Sequence, residues 1–155
     1  MKSFLLAALV LVSAHASAES QIASLVNFES TAARPNTEQE NITSILSGSL
    51  EHITPSNISI YGGFSFILGE TFETGVNIGA RFYSAAPAFQ FFPGIPIWTF
   101  VGGGVSFYDE TTYYPEVGFR IATSDVSRID VFARILNSSS DIYDRHIMVG
   151  AGLTF

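Results

Sequence analysis

The chain has 155 residues, seven basic against fourteen acidic, no cysteine and a formal net charge of −7. Phosphate backbones require a basic footprint, so this balance excludes nucleic acid as a partner. The absence of cysteine excludes disulfides and thiolate metal sites, which leaves backbone pairing and side-chain packing to hold the fold.

Met1-Lys2 is a short basic start, Phe4 to Val12 an apolar run, and Ala16-Ser17-Ala18 a small-residue cleavage pattern. Residues 1–18 therefore read as a secretory signal peptide. The apolar run is shorter than the about 20 residues that cross a bilayer as a helix. Cleavage after Ala18 leaves one domain, residues 19–155, with six arginines, no lysine and fourteen acids. Transmembrane strands take about 9–11 residues each, so eight fit with room for connections and twelve do not.

Eight alternating segments follow in chain order, at about 21–30, 42–51, 58–68, 74–83, 97–108, 114–122, 129–136 and 145–155. The third sets Ile58, Ile60, Phe64, Phe66 and Leu68 against Ser59, Tyr61, Gly63, Ser65 and Ile67. The fourth sets Val76, Ile78, Ala80 and Phe82 against Asn77, Gly79, Arg81 and Tyr83. The sixth sets Val117, Phe119 and Ile121 against Glu116, Gly118 and Arg120. The last is the most regular: Ile147, Val149, Ala151, Leu153 and Phe155 share one face, with His146, Met148, Gly150, Gly152 and Thr154 on the other. A period of two with one wholly apolar face marks a strand with lipid or core on one side.

Between Arg81 and Asp109 no residue is charged, but Pro87, Pro93, Pro96 and Gly102-Gly103-Gly104 argue against a membrane helix there. Strand alternation resumes at about Ile97. Residues 84–96, with Phe89, Phe91 and Phe92, are the longest connection on their side; a turn, a short helix and an extension of two strands all remain open. Aromatic rings there would suit a membrane interface.

The apolar face is almost purely apolar, whereas the polar face is rich in glycine and carries the charges. A lipocalin-like soluble barrel also has eight strands, but the polar face here has no lysine and the terminal phenylalanine has no role in it. The pattern predicts an all-β, eight-stranded antiparallel transmembrane β-barrel with both termini in the periplasm. Its outside loops would be about 31–41, 69–73, 109–113 and 137–144, and its inside turns 52–57, 84–96 and 123–128.

Three motifs carry a resemblance. Trp98-Thr99-Phe100-Val101-Gly102-Gly103-Gly104-Val105 resembles the aromatic–Val–Gly–small–Gly strand of small bacterial outer-membrane barrels of the OmpA/OmpX and opacity-protein type. Pro115-Glu116-Val117-Gly118-Phe119-Arg120 with the seventh strand is similar to their penultimate hairpin, and the last strand to their assembly signal. The resemblance implies location in a bacterial outer membrane, contact with outer-membrane lipid and lipopolysaccharide, and insertion by the barrel-assembly machinery. It says little of function, because members include adhesins, structural anchors, narrow channels and lipid-modifying enzymes.

Among polar residues, Glu116 and Arg134, like Arg120 and Asp130, would face each other in a hairpin centred on Asp125, both pairs pointing inward. Arg81 and Glu51 also point inward near the periplasmic end, and His146 near the outside end. Such pairs can plug the barrel, since an eight-stranded interior is only wide enough for its side chains. They can also gate it, with arginine exchanging carboxylates; inward glycines (Gly63, Gly79, Gly102, Gly104, Gly118, Gly150, Gly152) would leave the space. Ser138, Ser139, Ser140, Asp141 and His146 are close in sequence, but His146 points inward, and Phe82-Tyr83-Ser84 lacks the histidine of the deacylase His-x-Ser motif. Acids in the outside loops (Glu38, Glu40, Glu70, Glu73, Asp109, Glu110, Asp141, Asp144) match no dedicated calcium loop. The expectation is a non-enzymatic, monomeric barrel without cofactor or metal, in envelope support or surface interaction. A narrow gated channel for small solutes is the alternative, and a lipid-modifying enzyme comes third.

Overall fold

A computed structural model describes residues 21–34, 42–69, 72–92, 94–124, 126–139 and 143–155. Residues 1–18, which the sequence predicts to be a signal peptide, lie outside them. The strands are β1 (Gln21–Ala33), β2 (Ile42–Ile53), β3 (Ile58–Gly69), β4 (Phe72–Tyr83), β5 (Phe89–Phe92), β6 (Ile95–Phe107), β7 (Thr111–Ala122), β8 (Arg128–Ser138) and β9 (His146–Thr154). No helix occurs among the described residues.

Eight of these strands close an antiparallel barrel in the order β1-β2-β3-β4-β6-β7-β8-β9. Two pairings make the closure: β1 with β9, and β4 with β6. At the seam Phe155 N–H donates to Ser24 O at 2.9 Å and Ser24 N–H to Phe155 O at 2.8 Å. Closure leaves no open edge on these eight strands, which satisfies their backbone groups within the ladder.

Alternation decides the two faces, as pleating requires. Along β7, Thr112, Tyr114, Glu116, Gly118 and Arg120 are buried while Thr111, Tyr113, Pro115, Val117 and Phe119 are exposed. The wall is apolar outside: Phe64, Val101, Val117 and Val149 all stand exposed. The charges are inside, the reverse of a water-soluble barrel. On β9 the outward residues are Ile147, Val149, Ala151 and Leu153, followed by exposed Phe155.

The strands run further than their periodicity predicts. β1 continues to Ala33, β4 starts at Phe72 and β7 at Thr111, so the far connections are shorter than expected. The turns on the side of the termini are tight. Thr54 donates twice to Ile58 O, and Asn57 takes a left-handed φ of 59° that asparagine tolerates. Between β7 and β8, Thr123 and Ser124 N–H groups both donate to Ser127 O.

Residues 84–96 resolve the open question of the sequence. The described residues among them, 84–92 and 94–96, form neither helix nor simple turn. β4 ends at Tyr83, opposite Phe100, and β5 then occupies the lane β4 vacates, pairing Phe89 with Ile97 and Gln90 with Pro96. Gly94 makes the tip with φ 95°, a backbone conformation that needs no side chain. This hairpin extension stands on the side of the termini. At the opposite end Ile45, Ile67, Tyr114, Leu136, Tyr143 and Met148 pack into an apolar cap, with Tyr108 against it.

Candidate functional site

The barrel interior is built from one alternating chain of charges. Arg134 Nη1 donates to Glu29 Oε1, and its Nε donates to Glu116 Oε2 at 3.0 Å. Arg81 Nε reaches Glu116 Oε1 at 2.8 Å and its Nη1 reaches Asp130 Oδ2 at 2.7 Å. Arg120 Nε donates to Asp130 Oδ1 at 2.7 Å, and its Nη2 to Glu51 Oε2 at 2.9 Å. The order is Glu29–Arg134–Glu116–Arg81–Asp130–Arg120–Glu51, and every member is buried.

Hydroxyls and ring faces complete the shell. Tyr61 donates to Glu116 Oε1 at 3.1 Å, and Tyr83 to Glu51 Oε1 at 3.1 Å. The Arg81 guanidinium lies 4.6 Å from the Phe100 ring centroid, Arg120 4.6 Å from Tyr83 and Arg134 4.4 Å from Tyr114. Cation–π contacts strengthen where water is excluded. These rings therefore hold the arginines on faces that the carboxylates do not reach.

The structure places the sequence-predicted residues as follows. Glu116 lies opposite Arg134 and Arg120 opposite Asp130 in the β7–β8 ladder, both pairs inward and in contact. Arg81 and Glu51 are inward and buried but not joined to each other. Arg81 instead bridges Glu116 and Asp130 and so links the two pairs, while Glu51 closes on Arg120. Glu29, Tyr61, Tyr83 and Tyr114 also belong to the network.

Glycine explains how charges on non-adjacent strands meet. Arg81 on β4 is level with Gly102 on β6, which is level with Glu116 on β7. A Cβ on Gly102 would lie 3.0 Å from Glu116 Oε1 and 3.1 Å from Arg81 Cγ, so a larger residue would crowd the contact. The same device recurs in a row that runs Tyr61, Gly79, Gly104, Tyr114 around the wall. A Cβ at Gly79 would meet Tyr61 Cζ at 2.4 Å, and one at Gly104 would meet the Tyr114 hydroxyl at 2.5 Å. The inward glycines thus leave space that the neighbouring strands' large side chains already occupy.

The interior charges do not balance. Arg81, Arg120 and Arg134 face Glu29, Glu51, Glu116 and Asp130, one acid in excess. Glu29 is the end of the chain, and its Oε2 has no hydrogen-bond partner among the described residues.

Nearer the far end, His146 is buried with Nδ1 3.1 Å from Asp144 O, and its Nε2 has no hydrogen-bond partner among the described residues. Ser138 Oγ donates to Thr111 O. Ser140 and Asp141 lie outside the described residues, as do Glu38, Glu40 and Glu70. Glu73 accepts the Tyr143 hydroxyl across the mouth. Burial, and then that carboxylate, push the Tyr143 phenol above its ordinary range. Among the described residues no three His, Cys, Asp or Glu side chains gather as a metal site would require. Compared with protein-family models and with curated proteins, the chain matches none.

Proposed function

We propose that this chain is a monomeric outer-membrane barrel of the small OmpA/OmpX and opacity-protein type, with a non-catalytic role in envelope support or surface interaction. One observation carries the reading: the wall is apolar outside and charged inside. Lipid satisfies the first face, and the second is held largely by its own ion pairs. Closure of all eight wall strands is what a bilayer demands of a sheet, because open edges there cost several kcal/mol per unpaired group. Outer-membrane lipid and lipopolysaccharide are then the surroundings, and β9 ending on Phe155 is the segment offered to the insertion machinery.

The plugged interior favours support over transport. The second reading, a narrow gated channel, draws on Glu116 and Asp130, each held by two arginines. Shared partners make exchange of ion pairs conceivable without leaving a charge bare. Single-channel recording of the folded chain in planar bilayers separates the two. A plug gives a silent bilayer for both the native chain and Arg134→Ala, with the variant less stable on unboiled gels. Discrete openings that grow in Arg134→Ala would move the assignment to the channel. For the enzyme reading, a deletion strain whose lipid A mass profile is unchanged removes the idea. For surface binding, exchange of the four far loops abolishes cell contact while the barrel stays folded.

A further inference from the structure

We propose that the β5–β6 hairpin is an interfacial anchor, with the phospholipid headgroup layer on the side of the chain termini as its partner. The proposal rests on the membrane reading above and assigns a task to a hairpin whose first strand, β5, lies outside the closed ring.

The hairpin has two requirements that only one environment meets. Its side chains are apolar: in Phe89–Ile97 the sole polar side chain is Gln90, and no charge occurs from Phe82 to Tyr108. Phe89 is 58% exposed on the outer side, its ring set against Phe119 with centroids 6.2 Å apart. Through that contact the outer side continues the apolar wall, while Ile97, the partner of Phe89 and level with Ile121 on β7, is itself buried. Gln90 and Pro96 are paired one position further along and so lie on the opposite side, as pleating dictates. An exposed apolar surface of this kind is not suited to bulk water.

The backbone imposes the opposite limit. Among the described residues β5 pairs only with β6, so the other edge of β5 offers unpaired N–H and C=O groups. Hydrocarbon does not tolerate a lipid-exposed open edge. Headgroup and carbonyl layers supply water and polar atoms to the edge while accepting aromatic rings. A protein partner that adds a strand to β5 is the competing occupant. The edge disfavours it, being four residues long and followed in the sequence by a proline, a combination that blunts strand addition.

The test exploits the absence of cysteine. Single-cysteine variants Phe89→Cys, Val117→Cys and Glu110→Cys carry a nitroxide label, and the full chain is folded into phosphatidylethanolamine–phosphatidylglycerol vesicles and into native membranes. Accessibility to oxygen, which concentrates in lipid, is compared with accessibility to a neutral nickel chelate, which stays in water. Position 117, exposed in mid-wall, is expected to be rich in oxygen and poor in nickel, and position 110 the reverse. Position 89 is expected between them, at the depth of the lipid phosphate and carbonyl groups, in both preparations. Nickel accessibility at 89 equal to that at 110 would put the hairpin in water and overturn the proposal. A depth equal to that of 117, or shielding from both reagents in native membranes alone, would overturn it in favour of hydrocarbon or of a protein partner. If position 117 lacks the oxygen excess, the membrane reading is what fails. Should Phe89→Cys not fold, judged by its unboiled gel band, the exposed neighbour Ala88 takes the label.

Discussion

Replacing Arg81 with methionine tests the claim that the interior is one coupled network. Arg81 is fully buried and holds Glu116 at 2.8 Å and Asp130 at 2.7 Å. Without it each acid keeps one arginine, Arg134 and Arg120 respectively, but four carboxylates then face two guanidiniums. Breaking a buried pair by removing one partner costs about 3–5 kcal/mol, because the remaining charge stays desolvated. Retention of the second arginine on each acid argues for the lower end of that range. With a denaturant slope near 2 kcal/mol per molar, that lower end corresponds to a fall in the urea midpoint of roughly 1.5 M. Trp98, the single tryptophan and the cross-strand neighbour of Arg120, reports unfolding by its emission in lipid vesicles. The triple variant Arg81→Met, Glu116→Gln, Asp130→Asn should regain part of the loss, since it lowers the excess of buried negative charge. A single variant within about 1 kcal/mol of the native chain would refute the coupling. So would a triple variant weaker than the single.

Four further outcomes follow from the same geometry. Gly79→Ala should destabilise the barrel by about 1–3 kcal/mol through overpacking, because its Cβ would sit 2.4 Å from Tyr61. In the Tyr61→Ala background the same change should cost less, which a double-mutant cycle by urea titration reads directly. Val117→Arg places a charge on the outer wall and should cost about 2–4 kcal/mol in a bilayer if that wall faces lipid; an unchanged midpoint in vesicles would count against membrane insertion. Deleting Phe155 removes both backbone bonds to Ser24 at the seam and should lower the folded fraction recovered in outer-membrane preparations. At the far mouth the Tyr143 phenol is held above its ordinary range, so the folded state keeps a proton that the unfolded chain loses near pH 10. Stability should therefore fall as pH rises beyond that value, and Tyr143→Phe should flatten this part of the profile.

The parts of the interior legible in the sequence are those set by neighbouring strands. A short turn fixes the register of a hairpin, and a slip of one residue would invert both faces. That is why Glu116 could be matched with Arg134 and Arg120 with Asp130 from residue numbers alone. Arg81 meeting Asp130, and Arg134 meeting Glu29, are contacts between strands that are not adjacent. Their partners depend on how the sheet closes and on its stagger, which no local pattern contains. A usable signal did exist in the glycines. Gly102 and Gly150 stand on the strands that separate those partners, where a missing side chain marks a crossing rather than a void. Tyr143 had no such signal, because loop residues share no period with the strands they reach.

By itself the sequence determined the number of wall strands, the alternation of faces along the regular ones and the paired neighbours in the β7–β8 hairpin. These follow from a period of two and from chain connectivity, both local properties. Tertiary structure alone decided that seven charges form one chain and that glycine space is filled by tyrosine and phenylalanine from the next strand. It also decided that residues 84–96 become a hairpin in the lane β4 leaves. The physical reason is common to all three. Each depends on what stands across a closed barrel or beyond a strand's end, and only closure brings those groups within reach of one another.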